Sequence, residues 1–386
     1  MFKRTVFDAD HETFRMSVRK FVETDIVPYH DQWEKDGQVS REAWEKAGAA
    51  GMLLPAIPEA YGGAGADFLY SSIVLEELCR VNAMGPGFTL HSDIIAPYIL
   101  HYGTEEQRQR WLPDMAAGRK IGAIAMTEPS GGSDVQNIKT RAVRDGDEWV
   151  LNGQKVFITN GIMCDLVIVA CKTDPAQGAK GTSLIVVEAG TPGFTKGRRL
   201  EKIGWKAQDT AELFFEDARV PAANLLGTEG RGFVQLMEQL PQERLIQAIR
   251  CAATMEAALD WTVDYVTERQ AFGRKIADFQ NTRFKLAEVK AQVQMMRVFV
   301  DHCLDMHMQG RLDSTDAAMA KMLSSEMQSR VLDDLLQLFG GYGYMWEYPI
   351  ARAWADQRMS RLAGGTGEIM REIIGRSILG PATKGK

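Results

Sequence analysis

The stretch that decides the fold is Trp149-Val150-Leu151-Asn152-Gly153-Gln154-Lys155-Val156-Phe157-Ile158-Thr159. Two short runs rich in β-branched and aromatic residues lie on either side of Asn152-Gly153, the dipeptide that favours a two-residue type I′ turn. The sequence therefore predicts a β-hairpin with strands at 149–151 and 154–159.

Similar short runs surround this hairpin between about residues 121 and 217. Strands are predicted at 166–172, 182–187 and 210–215, and Asp145-Gly146 is a further turn signal. No long helical pattern interrupts these strands. We therefore expect an antiparallel β domain and not a fold of alternating strands and helices.

Helical periodicity lies on the N-terminal side of the β domain. Asp10 is a plausible N-cap for a first helix that Pro28 would end, with apolar residues at helical spacing: Phe14, Val18, Phe21, Val22 and Ile26. Further helices are expected around Trp44 and over 69–81. Another should begin after Thr104, which opens a capping box.

The C-terminal side carries longer helical patterns. Pro241 suits the first turn of a long helix, and two more are expected at about 281–308 and 314–339, with a closing helix from Gly367. Lengths near 25 residues fit a helical bundle. The predicted fold class is therefore α+β, mostly α: an N-terminal helical domain (1–119), a middle antiparallel β domain (120–231) and a C-terminal four-helix bundle (232–386).

Composition narrows the class of protein. The 386 residues are 45% apolar and 25% charged, with a net charge of −6, which argues against a nucleic-acid binder. The longest apolar runs, such as 166–171, are too short to span a bilayer. The first eight residues lack the apolar core of a signal peptide, so we expect a cytoplasmic protein.

The sequence gives no sign of a disulfide framework or a metal site. The five cysteines are odd in number, scattered and never spaced as Cys-x-x-Cys. His302 and His307 are five residues apart, a spacing that does not put both on one face of a helix. We therefore expect no metal.

Three glycine-containing loops and one acidic residue are candidate site elements. The loops 127–134, 339–344 and 362–368 could each bring backbone close to a ligand, although composition alone favours a plain turn at 127–134. The dinucleotide fingerprint Gly-x-Gly-x-x-Gly is absent. Glu243, considered alone, reads as an acidic residue that complements a helix dipole in a first turn.

Taken together, several segments resemble the acyl-CoA dehydrogenase family, in order and spacing as well as content, over nearly the whole chain. These segments are Pro58-Glu59-Ala60-Tyr61-Gly62-Gly63, Ala125-Met126-Thr127-Glu128-Pro129 with Gly132-Ser133-Asp134, 152–161, Glu268-Arg269-Gln270-Ala271-Phe272-Gly273, 337–344 and Gly365-Thr366-Gly367-Glu368-Ile369. The resemblance implies a flavoprotein that binds FAD and oxidises a fatty acyl-CoA to the trans-2-enoyl-CoA.

The resemblance also assigns roles to individual residues. Those implied to face the flavin are Ile124, Met126, Thr127, Ser133, Phe157, Ile158 and Thr159, with Phe157 where many relatives carry Trp. Those implied to reach the FAD of a neighbouring subunit are Arg269, Phe272, Gln280, Gln337, Gly340 and Gly341. Thr366 and Glu368 would hold the adenosine and diphosphate part. Substrate contacts are assigned to Ser133, Gln242, Arg244, Gly364 and Gly365.

One departure from the family pattern identifies the expected catalytic base. Many relatives carry the catalytic glutamate immediately before the last Gly-Thr, but this chain has Gly364 there, which cannot accept a proton. The long-chain and isovaleryl-CoA dehydrogenases carry the base where this chain has Glu243. The string Leu240-Pro241-Gln242-Glu243-Arg244-Leu245 most resembles the long-chain enzymes, so we assign the base to Glu243.

The resemblance further implies an electron-transfer flavoprotein as acceptor and a homo-oligomer, most often a tetramer. An isovaleryl-type enzyme for short branched chains is the nearest alternative. An oxygen-reacting flavin oxidase or monooxygenase on the same scaffold is a second, and a non-catalytic binding relative is a third. Acyl chain length, branching and pathway do not follow from the residues.

Overall fold

The computed structural model describes residues 2–380. Met1 and residues 381–386, which the predicted outer domains include, lie outside the described residues. The chain forms a helical N-terminal part, a β-sheet middle part and a helical C-terminal part, as predicted.

The N-terminal part is helical throughout. Its helices are α1 (Ala9–Phe21), α2 (Val27–Asp36), α3 (Arg41–Ala49), α4 (Phe68–Arg80), α5 (Phe88–Leu90), α6 (Ala96–Tyr102) and α7 (Glu105–Ala116). Two π-helical turns join neighbours, Val22–Ile26 between α1 and α2 and His91–Ile95 between α5 and α6. The capping box at Thr104 is confirmed.

Two expectations for the first helix are wrong. The N-cap is Asp8 and not Asp10, because the Asp8 carboxylate accepts the backbone N–H groups of Asp10 and His11. Pro28 does not end the helix. It lies in the first turn of α2, and the π turn Val22–Ile26 carries the helical backbone from α1 into α2 without a break.

The middle part is built around one eight-stranded sheet. Its strands are β1 (Gly122–Ala125), β2 (Arg141–Asp145), β3 (Glu148–Thr159), β4 (Leu166–Lys172), β5 (Thr182–Glu188), β6 (Phe194–Arg199), β7 (Thr210–Pro221) and β8 (Leu225–Leu226). The strand order is β6-β7-β3-β2-β4-β5-β8, with β1 beside β4. Most pairs are antiparallel, while β1 and β2 each pair with β4 in parallel.

The hairpin predicted at Asn152-Gly153 is wrong. Residues 148–159 form one continuous strand, and its pairing with β7 shifts register between Leu151 and Gly153. A Cβ placed on Gly153 would lie 2.5 Å from Thr140 Oγ1, so this glycine permits a close approach of two backbones instead of a turn. The hairpin is instead at the turn signal Asp145-Gly146, between β2 and β3, where Asp145 pairs with Glu148.

The C-terminal part consists of α8 (Gly232–Glu268), α9 (Gln280–Met308), α10 (Ser314–Gln337), α11 (Pro349–Asp356) and α12 (Gly367–Leu379), with the short strands β9 (Gln270–Ala271) and β10 (Arg274–Lys275) between α8 and α9. Pro241 is not in the first turn of α8, as predicted, but inside it. The helix begins earlier because Gln235 and Leu236 are buried and hold the preceding turns in place.

The two helical parts share one apolar core, which also covers a face of the sheet. Across this core Arg297 of α9, with a side chain 2% exposed, donates to Glu76 of α4 at 3.0 Å and to Glu256 of α8. Helix α8 packs against α4 of the N-terminal part and against α9 and α10 of the C-terminal part, so helices of both parts enclose its middle turns. Within residues 2–380 no helix has the length and apolar character needed to cross a membrane.

Candidate active site

Glu243 is a buried carboxyl group in the interior of α8. The residue is 8% exposed, and the Tyr98 hydroxyl of α6 donates a hydrogen bond to its Oε1 at 3.0 Å. Burial raises the pKa of Glu243 to about 7, against the opposing effects of Tyr98 and the neighbouring Arg244 cation. Because α8 begins at Gly232, Glu243 is beyond the first turn, and a role for it in complementing the helix dipole is wrong.

The residues on either side of Glu243 hold this turn of α8 to two other elements. The Gln242 side-chain amide donates to the backbone carbonyl of Asp93 at 2.6 Å. The buried Arg244 guanidinium donates to Ser314 Oγ at 2.9 Å, and its Nε has no partner among the described residues. Helix α8 is thereby fixed to the π turn before α6 and to the start of α10.

Gly364 lies beside the next turn of α8. Its φ is +68°, and the nearest atom to a Cβ placed on it is Gln247 Cγ, at 3.8 Å. Gln247 is four residues after Glu243, one helical turn along α8. The next residue of the loop, Gly365, accepts a hydrogen bond through its carbonyl from the buried Lys321 of α10 at 2.5 Å. The structure thus brings Glu243, Gln242, Arg244, Gly364 and Gly365 to one region.

A buried ion pair fixes the loop that follows β1. Lys155 donates to Glu128 Oε1 at 2.9 Å and to the Met126 carbonyl at 3.0 Å, and both charged side chains are at most 4% exposed. The backbone N–H of Val156 donates to the Thr127 carbonyl. These contacts place Thr127 beside the end of β3. Ile124, Met126 and Thr127 are half-buried, whereas Ser133 is exposed.

Successive residues at the end of β3 alternate between exposed and buried positions. Phe157 is 67% exposed at φ 61°, a backbone conformation that is rare for a bulky residue. Ile158 packs into the sheet core, so only its backbone is open to a ligand, and Thr159 is half-buried. Asn160 donates to the Gly122 carbonyl and lies against Gly87, just before α5.

The residues expected to reach the FAD of a neighbouring subunit form a third group. They lie on the surface around the end of α8. Arg269 lies over the ring of Tyr342, 5.2 Å from its centroid, and the Tyr265 ring stacks on Phe339 at 4.2 Å. This brings Arg269 next to the loop after α10. The other members are exposed: Phe272, Gln280, Gln337, Gly340 and Gly341.

Thr366 and Glu368 begin α12. The Thr366 hydroxyl caps the helix by accepting the N–H of Ile369, and Glu368 lies exposed in the first turn. No hydrogen bond within residues 2–380 joins this pair or the third group to Glu243. In the same range no cluster of three or more His, Cys, Asp or Glu could hold a metal ion.

Sequence reasoning missed three residues that hold this site together: Tyr98, Lys321 and Lys155. Each contacts a residue far away in the chain, and Tyr98 and Glu243 are separated by 145 positions. No local pattern marks such a contact. A polar residue in an otherwise apolar helical segment, such as Lys321 on α10, is the one available signal.

Comparisons with known proteins agree with the fold. Family models match residues 8–119, 123–218 and 230–379, described as the N-terminal, middle and C-terminal domains of acyl-CoA dehydrogenase. The chain is 52% identical over 378 residues to the mitochondrial long-chain specific acyl-CoA dehydrogenase of Rattus norvegicus (97% of this chain, 88% of the relative).

Two further similarities are informative. The chain is 36% identical to the mitochondrial isovaleryl-CoA dehydrogenase of Pongo abelii (95% of this chain, 88% of the relative). A crystal structure of an acyl-CoA dehydrogenase from Geobacillus kaustophilus superposes with a TM-score of 0.96 at 50% identity, covering 98% of this chain and 100% of that one.

Proposed function

This chain belongs to the acyl-CoA dehydrogenase family, and on that premise we propose that it converts a long-chain fatty acyl-CoA to the trans-2-enoyl-CoA with Glu243 as the base. The observation that carries the proposal is a buried carboxyl on α8 with a pKa of about 7, one helical turn from the residue that Gly364 adjoins; many relatives carry their base at the position of Gly364.

The proposed proton step follows from the surroundings of Glu243. A general base works best when its pKa is near the operating pH, and burial brings Glu243 there. The carboxylate takes the proton from Cα, and the electron pair of that C–H bond becomes the new C=C bond. Because Gly364 has no side chain, its turn leaves room for a thioester, whose oxygen would accept the Gly364 N–H.

FAD is the cofactor that the family implies, and the residues present fit it. Gly131, Gly340 and Gly341 have no atom within 4 Å of a placed Cβ, so their backbones are open to a ligand. A flavin ring packed against Phe157 would account for the exposure and the strained backbone of this residue. The chemistry that bound FAD supplies is acceptance of the hydride from Cβ.

The substrate class is proposed from likeness. The 52% identity to a long-chain enzyme exceeds the 36% to an isovaleryl enzyme, and both kinds of relative lack a base at the position of Gly364 by the resemblance. We also propose an electron-transfer flavoprotein as acceptor. The exposed Arg269 and the 94% exposed Phe272 support a homo-oligomer in which each subunit completes its neighbour's FAD site.

The deciding experiment is Glu243→Gln in the FAD-loaded protein, with Glu238→Gln as a matched control on the exposed side of the same helix. We expect Glu243→Gln to keep its yellow colour and lose about 100- to 10,000-fold in turnover, since that is the usual contribution of a general base. The control should stay near wild type. Turnover of Glu243→Gln within tenfold of wild type would remove Glu243 from this role.

A second measurement separates the substrate and acceptor alternatives. Anaerobic bleaching of the flavin with acyl-CoAs of graded length should be strongest for long straight chains. Preference for isovaleryl-CoA would support the branched-chain alternative. Rapid reoxidation of the bleached enzyme by air, without an electron-transfer flavoprotein, would support an oxidase.

A further inference from the structure

Tyr98 is a fully buried residue that points its only polar side-chain atom at the proposed base. The residue is 0% exposed, and its hydroxyl lies 3.0 Å from Glu243 Oε1. It is the sole hydrogen-bond partner of the Glu243 carboxyl among the described residues. Oε1 is therefore engaged, whereas Oε2 has no partner in that part of the chain.

The charges around this contact are few. Arg244 is the neighbouring cation on α8 itself, and it donates to Ser314 of α10. Burial and the nearby Arg244 cation lower the pKa of Lys321 of α10. From the π turn before α6, Asp93 is a buried acid whose backbone carbonyl is tied to Gln242. Tyr98 is thus the group in direct contact with the carboxyl, and Arg244 is the charged residue that acts on it from a distance.

We propose that Tyr98 is a positioning residue for the reaction: its hydroxyl occupies Oε1 of Glu243, holds the group as a carboxylate and leaves Oε2 as the oxygen that takes the α-proton. This inference rests on the proposed function. A donated hydrogen bond stabilises the ionised carboxylate more than the neutral acid, so it favours the form that can act as a base. It also fixes the carboxylate plane, which sets the direction of proton transfer.

The test is Tyr98→Phe, which keeps the buried ring and removes the hydroxyl. The matched control is Tyr102→Phe, one turn along the same helix, whose hydroxyl donates to the exposed Glu238 at 2.8 Å. We expect the acid limb of kcat/KM, which reports the free enzyme, to move up by about one pH unit in Tyr98→Phe. The plateau of kcat should fall about tenfold with little change in KM, while Tyr102→Phe keeps the wild-type profile.

A second readout does not depend on turnover. The difference in thermal midpoint between wild type and Glu243→Gln, followed against pH, reports the titration of Glu243 in the folded state. The same difference is then measured between Tyr98→Phe and the double variant Tyr98→Phe/Glu243→Gln. We expect the titration to lie at higher pH in this second pair, because the Tyr98 hydroxyl is absent from both proteins.

The outcomes separate the two proposals. An inactive Glu243→Gln with an unmoved acid limb and an unmoved stability titration in Tyr98→Phe overturns the role of Tyr98 alone. An active Glu243→Gln overturns the proposed base, and the positioning role falls with it. A shift in both readouts, with Tyr102→Phe unchanged, supports Tyr98 as the positioning residue.

Discussion

Lys321 of α10 and Gly365 of the last glycine loop are joined by a hydrogen bond of 2.5 Å from the buried ammonium group to the backbone carbonyl. Burial lowers the pKa of this lysine to about 8. The contact ties the loop that carries Gly364 to the helix behind it, and so fixes the distance between that loop and the turn of α8 bearing Glu243.

Lys321→Met should therefore loosen the loop and lower kcat by about 10- to 100-fold, because small displacements of a substrate-holding group have effects of this size. Lys290→Met, on the exposed side of α9, is the control. Steady-state kinetics on the FAD-loaded proteins would measure this. An unchanged kcat for Lys321→Met would show that the loop needs no anchor.

Glu243 should make the protein less stable as the pH rises. The pKa of this carboxyl is raised from 4.5 to about 7 in the folded state. Below pH 4.5 the carboxyl is protonated in both the folded and the unfolded state and does not lower the free energy of unfolding. Between pH 4.5 and pH 7 it lowers that free energy by an increasing amount. Above pH 7, Glu243→Gln should be more stable than wild type by up to about 3 kcal/mol. Urea unfolding at pH 4.5 and pH 8 measures this, and an equal effect at both values would contradict the raised pKa.

The Lys155–Glu128 pair should show strong coupling. Lys155→Met leaves the Glu128 carboxylate buried without its cation, which costs about 3–5 kcal/mol of unfolding free energy. The double variant Lys155→Met/Glu128→Gln should be less destabilised than the sum of the two single variants. Denaturant titration of the four proteins completes the cycle, and additive losses would refute a coupled pair.

Gly364→Ala should be destabilising through the backbone and not through a clash. Its φ of +68° costs a residue with a Cβ about 1–2 kcal/mol, while the nearest atom to that Cβ is 3.8 Å away. Gly375→Ala, inside α12 with open space around it, should instead be neutral or slightly stabilising. If Gly364→Ala proves as stable as wild type, the loop relaxes away from this conformation.

The helical layout could be predicted because the apolar periodicity of each long helix is local. The capping box at Thr104 could be predicted for the same reason. The predictions of a helix start at Pro241 and of a hairpin at Asn152-Gly153 were wrong because each of these signals occurs in two kinds of local structure. A proline can stand within a helix whose earlier turns are buried, and a glycine in a strand can mark a close backbone approach.

The site was predictable only as far as single residues carry chemistry. Glu243 could be proposed because Gly364 removes the alternative position, but its buried environment depends on α6, which the chain visits 145 residues earlier. Tyr98 is one aromatic among many in the sequence. Its contact with Glu243 arises from the packing of α6 on α8, and no spacing rule reports that.

The ion pair between Glu76 and Arg297 has a consequence for biosynthesis. The partners are 221 residues apart, so at about 5–20 residues per second the ribosome delivers the arginine roughly 10–40 s after the glutamate. During that interval the nascent N-terminal helices cannot bury Glu76 with this arginine as its counter-ion. Arg4 and Arg15 of the N-terminal part can pair with the other carboxylate oxygen, Oε2, during this time, since each donates to it at 2.9 Å. The shared core contains residues of both helical parts, so it closes only after the third part has been made, and a truncated product should expose apolar surface that chaperones recognise.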